Sequence, residues 1–176
     1  MTSTAAFLLL LLAVGLERVV ELVVSARNIK ATTALGGVES GFGHYTVMVV
    51  LHTGLLVGAI AEVVIAERPF LPWLGWPMVA LVFAAQGLRW WCIATLGPRW
   101  NTRVVVLPGA PLVRRGPYRR LRHPNYLAVV VEGVTLPMVH SAWVTALVFT
   151  AANALLLRTR IRCEDAALRD LPAASS

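Results

Sequence analysis

Residues 117–126 read PYRRLRHPNY, which sets Arg119, Arg120, Arg122, His123, Asn125 and Tyr126 side by side where the chain turns from basic to apolar. A basic run beside a membrane ordinarily anchors on anionic lipid, at about 1 kcal/mol per residue near the surface. That account suits Arg114, Arg115, Arg119 and Arg120. RHPNY asks for a different one. Pro124 fits the first turn of a helix, where its missing N–H would have had no partner. Arg122 and His123 therefore precede a helix start, whose free N–H groups and positive dipole end favour an anion. Asn125 and Tyr126 add polar groups to that first turn. The plainer reading makes His123 a helix cap and Tyr126 an interfacial aromatic.

Glu132 follows within an apolar run, and a carboxylate there costs at least a few kcal/mol without a partner or a wet cavity. Asn125, seven residues earlier, shares its helical face, so the two form a polar stripe leading inward. A buried pair with a basic residue such as Arg89 is the alternative. Downstream, Asn153, Arg160 and Glu164 fall on one face of the last helix; an inconsequential i,i+4 ion pair is the bland explanation. Glu17 and Glu21 make a similar pair on the first helix with Asn28 beyond them, and Arg18 or Arg27 supplies only part of the charge they need. His52 reads as a hydrogen-bonded packing residue. Gln86 and Arg89, one turn apart, are placed to line a common cavity.

These residues need positioning elements, and the composition says of what kind. The chain has 176 residues, 57% hydrophobic and 14% charged, with a mean hydropathy of +0.70. That is too apolar for an ordinary soluble surface and fits one integral membrane domain over 1–176. Helices are expected over Thr4–Val24, Tyr45–Ala66, Leu74–Leu96, Pro124 to about Pro137, and Ser141–Leu157, the last two as a tight hairpin. The expected architecture is therefore all-α, with about five transmembrane helices. Three spans occupy 1–96, a basic loop 97–123, and the hairpin with a helical tail 124–171. The first apolar run lacks a basic leader and a small-residue cleavage site, so it is expected to be a retained span. Residues 36–43, GGVESGFG, follow no strand and read as a loop, and the final PAASS reads as disordered. Cys92 and Cys163 stand alone, without metal-like spacing to the histidines. Of the 16 basic residues, 13 fall in the first loop, the third loop and the tail. The positive-inside rule makes that side cytoplasmic and the N-terminus external. Trp73, Trp76, Trp90 and Trp91 mark the two interfaces.

GPYRRLRHPNY followed about 35 residues later by RIRCE resembles the isoprenylcysteine carboxyl methyltransferase family, small membrane enzymes that use S-adenosylmethionine without a Rossmann domain. In a bacterial subgroup the likeness extends through ERVVELVVSARN, GGVESGFGHY, LGPRWNTRVVVLPG and the Glu132 position, and so covers nearly the whole chain. The shared half is also similar to phospholipid methyltransferases and, more weakly, to membrane sterol reductases. The resemblance implies a cofactor held between the RHP region, the hairpin and the C-terminal helix, with Arg122, His123, Pro124, Asn125, Tyr126 and Glu164 as the candidate pocket. It implies Arg160 and Glu164 at the reaction centre; two acids and one arginine projected onto a common cavity add the expectation that Arg160 positions the acceptor oxygen while Glu132 or Glu164 orients the acceptor or relays its proton. The expected activity is methyl transfer to an oxygen of a lipophilic acceptor within the membrane lipid, with alkylpyrone-type polyketides as the acceptor that the subgroup suggests. No metal and no nucleic acid is expected. A prenylcysteine-like carboxyl or phospholipid methyltransferase, an NADPH-dependent membrane reductase, and a non-catalytic membrane subunit are the competing readings.

Overall fold

A computed structural model describes residues 2–40 and 43–169. The first helix, α1, runs Ser3–Ala34, opened by the Thr2 hydroxyl accepting from Ala5 N at 3.2 Å. At 32 residues it measures about 48 Å, well beyond a bilayer core of about 30 Å. It therefore continues ten residues past the apolar run that predicts it, and Arg27 and Lys30 lie on its last turns instead of in a loop. Gly36 ends it with φ +87°, the left-handed conformation that lets Gly36 N and Gly37 N bond back to Thr33 O and Thr32 O.

Helix α2 covers His44–Ile65, α3 Pro72–Leu96, α4 Pro124–Met138 and α5 Trp143–Arg169. α2, α3 and α5 are long and apolar enough to cross a membrane. Their outer faces carry exposed Val50, Val57, Phe83, Leu147 and Leu155, as lipid contact requires. α4 has 15 residues, about 22 Å, and does not reach across a bilayer core on its own. It packs along α3 and α5. Gly133 makes the α4–α5 approach close, since a Cβ there would lie 2.2 Å from the Phe149 ring.

The ends of the helices sort into two groups. At one, Phe7, Leu11, Val63, Val82, Leu136 and Val139 form the buried apolar core. There Glu62 accepts from Val144 N, Thr145 N (2.7 Å) and Thr145 Oγ1 (2.8 Å), satisfying donors that the start of α5 leaves free. At the other end the loop 97–123 folds back over the bundle. Asn28 donates to the carbonyls of Gly97 (3.2 Å) and Trp100 (2.7 Å), and Ser25 Oγ lies 2.8 Å from Thr102 Oγ1. The long polar end of α1 is thus the clamp for this loop.

One expectation needs correction. The protein is not purely α: Val38–Ser40 (β1) pairs antiparallel with Val104–Val106 (β2), in register Val38↔Val106. GGVESGFG reads as a loop from local pattern because its strand is three residues long and its partner is distant in sequence. Arg103 ties the ribbon together, bonding Glu39 at 3.1 Å and stacking over Tyr45 at 4.6 Å. Two short antiparallel strands are no Rossmann sheet. The expectation for PAASS lies outside the described residues.

Candidate active site

The site grows from the start of α4. Pro124 occupies the first helical position and His123 precedes it without making a side-chain cap. The imidazole is therefore free for other partners. It stacks on Tyr126, with centroids 5.4 Å apart and planes at 24°. Its Nε2 lies 3.4 Å from Asp165 Oδ1 and its Nδ1 3.8 Å from Glu164 Oε2. Tyr126 Oη donates to Glu164 Oε2 at 2.5 Å. RHPNY and the tail helix are in this way joined by two carboxylates and two stacked rings.

Arg160, one turn before Glu164, is 6% exposed. Its Nη2 donates to the Thr102 carbonyl at 2.7 Å, its Nη1 lies 2.8 Å from the Met48 sulfur, and its Cζ stands 5.8 Å from the Tyr126 ring centre. Arg122 is peripheral, with a side chain 86% exposed and 3.8 Å from Asp165. Asn125 and Asn153 face the same hollow, each with a buried Oδ1 that has no hydrogen-bond partner among the described residues; Arg160 Nε is likewise buried and unpaired among them.

These side chains line a cavity of about 690 Å³, within the usual size range of small-molecule sites. The loop 97–123 forms its cover, through residues 99–107 and 110–114. Tyr118 also lines it, and burial pushes its phenol well above the ordinary tyrosine value, so it remains neutral. From the rim the cavity runs to mid-helix residues including Gly15, Arg18, Glu21, His52, Leu56 and Arg89.

Glu132 lies apart from the rim. It is 3% exposed, is not among the cavity-lining residues, and makes a close ion pair with Arg89. Arg18 lies 3.6 Å from Glu132, 2.7 Å from Glu21 and 2.9 Å from Gln86 Oε1. Gln86 and Trp90 both donate to Glu17. Two guanidiniums thus face three carboxylates between α1, α3 and α4, with the neutral donors Gln86 and Trp90 on Glu17, which makes several intramembrane charges tolerable. Of the residues that sequence reasoning groups, the structure brings together His123, Asn125, Tyr126, Arg160 and Glu164. It sets Glu132 in the ionic network and Arg122 at the edge. Asp165 and Thr102 were missed. Asp165 had a visible signal in its position beside Glu164, whereas Thr102 acts through its backbone carbonyl and had none.

Comparison with known proteins gives the family. The family model described as isoprenylcysteine carboxyl methyltransferase (ICMT) family matches residues 78–170, which hold the loop, the hairpin and the tail. YpbQ of Bacillus subtilis (strain 168), an uncharacterised protein, is 36% identical over 165 residues, covering 93% of this chain and 97% of its own length. An uncharacterised protein of Haemophilus influenzae is 29% identical over 155 residues, covering 88% and 90%. With the family model spanning more than half of the chain, and a relative alike almost end to end, the protein belongs to the isoprenylcysteine carboxyl methyltransferase family, whose members are membrane methyltransferases dependent on S-adenosylmethionine.

Proposed function

We propose that this protein transfers a methyl group from S-adenosylmethionine to an oxygen of a lipophilic acceptor taken from the bilayer. The observation that carries the reading is the convergence of His123, Tyr126, Arg160 and Glu164, from the starts and tails of separate helices, on one half-apolar cavity. The cavity's unpaired polar atoms match the cofactor's chemistry. Asn125 Oδ1 and Asn153 Oδ1 want donors, which an ammonium, ribose hydroxyls or an adenine amine supply. Arg160 Nε wants an acceptor, which a carboxylate supplies. Glu164 is the acid for the ammonium, and the stacked His123–Tyr126 pair is the wall for the adenine.

When bound, S-adenosylmethionine supplies an electrophilic methyl group on a sulfonium. The residues' part is alignment. Arg160 is held from two sides, by Thr102 O and Met48 S, so its three remaining N–H groups are presented from fixed positions, the condition under which orientation contributes several kcal/mol. Carboxyl acceptors of the kind that names the family and enols of the alkylpyrone kind both offer an oxygen on an apolar body, and assaying both classes in parallel decides between them. We place the rim and the tail on the cytoplasmic side and the N-terminus outside, because 13 of 16 basic residues gather at the rim end.

Calorimetric titration of the detergent-solubilised protein with S-adenosylhomocysteine and, separately, NADPH tests the reading. Saturable binding of S-adenosylhomocysteine that Glu164→Ala weakens at least tenfold is expected. Binding of NADPH alone, or of neither, overturns it.

A further inference from the structure

The rim accounts for a cofactor and for the orientation of an oxygen. It leaves unexplained why the same cavity extends to charged groups deep between α1, α2 and α3. If the acceptor oxygen carries a hydrogen, methylation must also dispose of a proton, and the rim carboxylates Glu164 and Asp165 are engaged by Tyr126 and by His123.

Three carboxylates sit in the ionic network, and they differ in availability. Glu17 receives Gln86 and Trp90. Glu132 is closely paired with Arg89 and does not line the cavity. Glu21 does line it, is 4% exposed, and has one oxygen, Oε2, held by Arg18 at 2.7 Å while Oε1 has no hydrogen-bond partner among the described residues. Arg89 Nε stands 3.6 Å from Oε1, beyond hydrogen-bond reach.

The position of Glu21 relative to the rim follows from contacts. Ser25 is one helical turn further along α1, on the same face, about 6 Å away. Ser25 Oγ bonds Thr102, both to its N at 2.8 Å and to its Oγ1 at 2.8 Å, and the Thr102 carbonyl receives Arg160 at 2.7 Å. A carboxylate with a free oxygen is thus built into the wall one turn from the residue that bridges to Arg160. His52 of α2 lines this part too; its Nδ1 faces the Met48 carbonyl at 2.8 Å and so must carry the hydrogen, leaving Nε2 a second acceptor.

From this arrangement we infer that Glu21 is the proton acceptor for hydroxyl substrates, a role that rests on the methyltransferase reading above. The step balances: the acceptor oxygen forms its bond to the methyl carbon as the S–CH₃ bond breaks, the bonding pair stays on sulfur as the sulfonium becomes a thioether, and the O–H proton passes to Glu21 Oε1. The charged and titratable groups facing Glu21 are Glu17 and Arg18 of its own helix, His52 of α2, Arg89 of α3 and Glu132 of α4. Arg18 and Arg89 stand against the carboxylate, and Glu132 is a positioning residue that acts by holding Arg89.

A pair of acceptors differing in acidity, assayed at about pH 9, tests this in the full-length protein: a long-chain 4-alkylphenol, which stays largely protonated there, and its 2-nitro analogue, which is largely ionised. Glu21→Gln is expected to lower kcat about 100-fold on the alkylphenol, as loss of a general base does. On the nitrophenol, which brings no proton, the loss is expected to shrink to a few-fold. Affinity for S-adenosylhomocysteine stays at the wild-type value in a folded variant. Equal losses on the two acceptors, the result of a purely structural role, overturn the inference, and so does no loss on either. Should the glutamine variant fail to bind S-adenosylhomocysteine, Glu21→Asp keeps the charge opposite Arg18, and the same acceptor-dependent difference must appear in it. A wild-type protein that binds no S-adenosylhomocysteine defeats the parent reading instead, which distinguishes the two failures.

Discussion

Arg160 engages three separate parts of the chain at once: Met48 on α2, the Thr102 carbonyl in the cover, and the Tyr126 ring on α4. A guanidinium so held is a directional donor, not a mobile charge, and lysine does not reproduce its planar fork. Arg160→Ala and Arg160→Lys are both expected to lower kcat about 100-fold or more, since misplacement by an ångström costs that much. Retained S-adenosylhomocysteine binding by the lysine variant would show that the loss concerns orientation; wild-type turnover in either variant removes Arg160 from the mechanism. The same scale explains Glu132. Its sequence position could mean a catalytic acid or half of a buried pair, and periodicity alone does not choose. The pair with Arg89 crosses from α4 to α3, a juxtaposition set by tertiary packing. Removing one partner of a buried pair costs about 3–5 kcal/mol, because the other charge is left uncompensated. Glu132→Leu is therefore expected to melt well below wild type in detergent, and Arg89→Met added to it to recover much of the loss, a coupling that a double-mutant cycle measures.

At the scale of elements, the helices were legible because apolar runs of about 20 residues bounded by Gly, Pro and charge have few other solutions in lipid. Their ends were not. α1 outruns its hydrophobic signal since Ser25, Asn28 and Thr32 are bound by the cover loop, and no window on α1 alone contains that partner. The β1–β2 ribbon was invisible for the same reason. The hairpin was readable from Pro124 and Pro137, but its closeness depends on Gly133, whose missing Cβ admits Phe149. Gly133→Ala is expected to force α4 and α5 apart, lowering the melting temperature by several degrees and weakening S-adenosylhomocysteine binding, because His123 and Tyr126 ride on α4 while Arg160 and Glu164 ride on α5. Phe149→Leu in the same chain frees space for the new methyl group and should restore binding. A Gly133→Ala protein as stable and as active as wild type would mean that the two helices do not need this approach.

For the molecule as a whole, the contacts fix which ends lie together, and the proposal for which way they face rests on charge. Ser3 meets His140, Glu62 meets Thr145, and Arg68 stacks over Trp143 at 5.1 Å, so the starts of α1 and α5 and the end of α2 share one side. The cover, the start of α4 and the tail share the other. Anionic lipid and the insertion machinery favour arginine on the cytoplasmic face, and the rim side holds nearly all of it. A cofactor made in the cytosol also needs the rim there. In a Cys92→Ala/Cys163→Ser background, cysteines at Ala66 and Leu112 report the two ends, both positions being exposed. A membrane-impermeant maleimide applied to intact cells is expected to label Ala66→Cys, and to reach Leu112→Cys only after permeabilisation. The reverse pattern would put the basic rim outside, away from its cofactor, and the proposed function could not hold in that orientation.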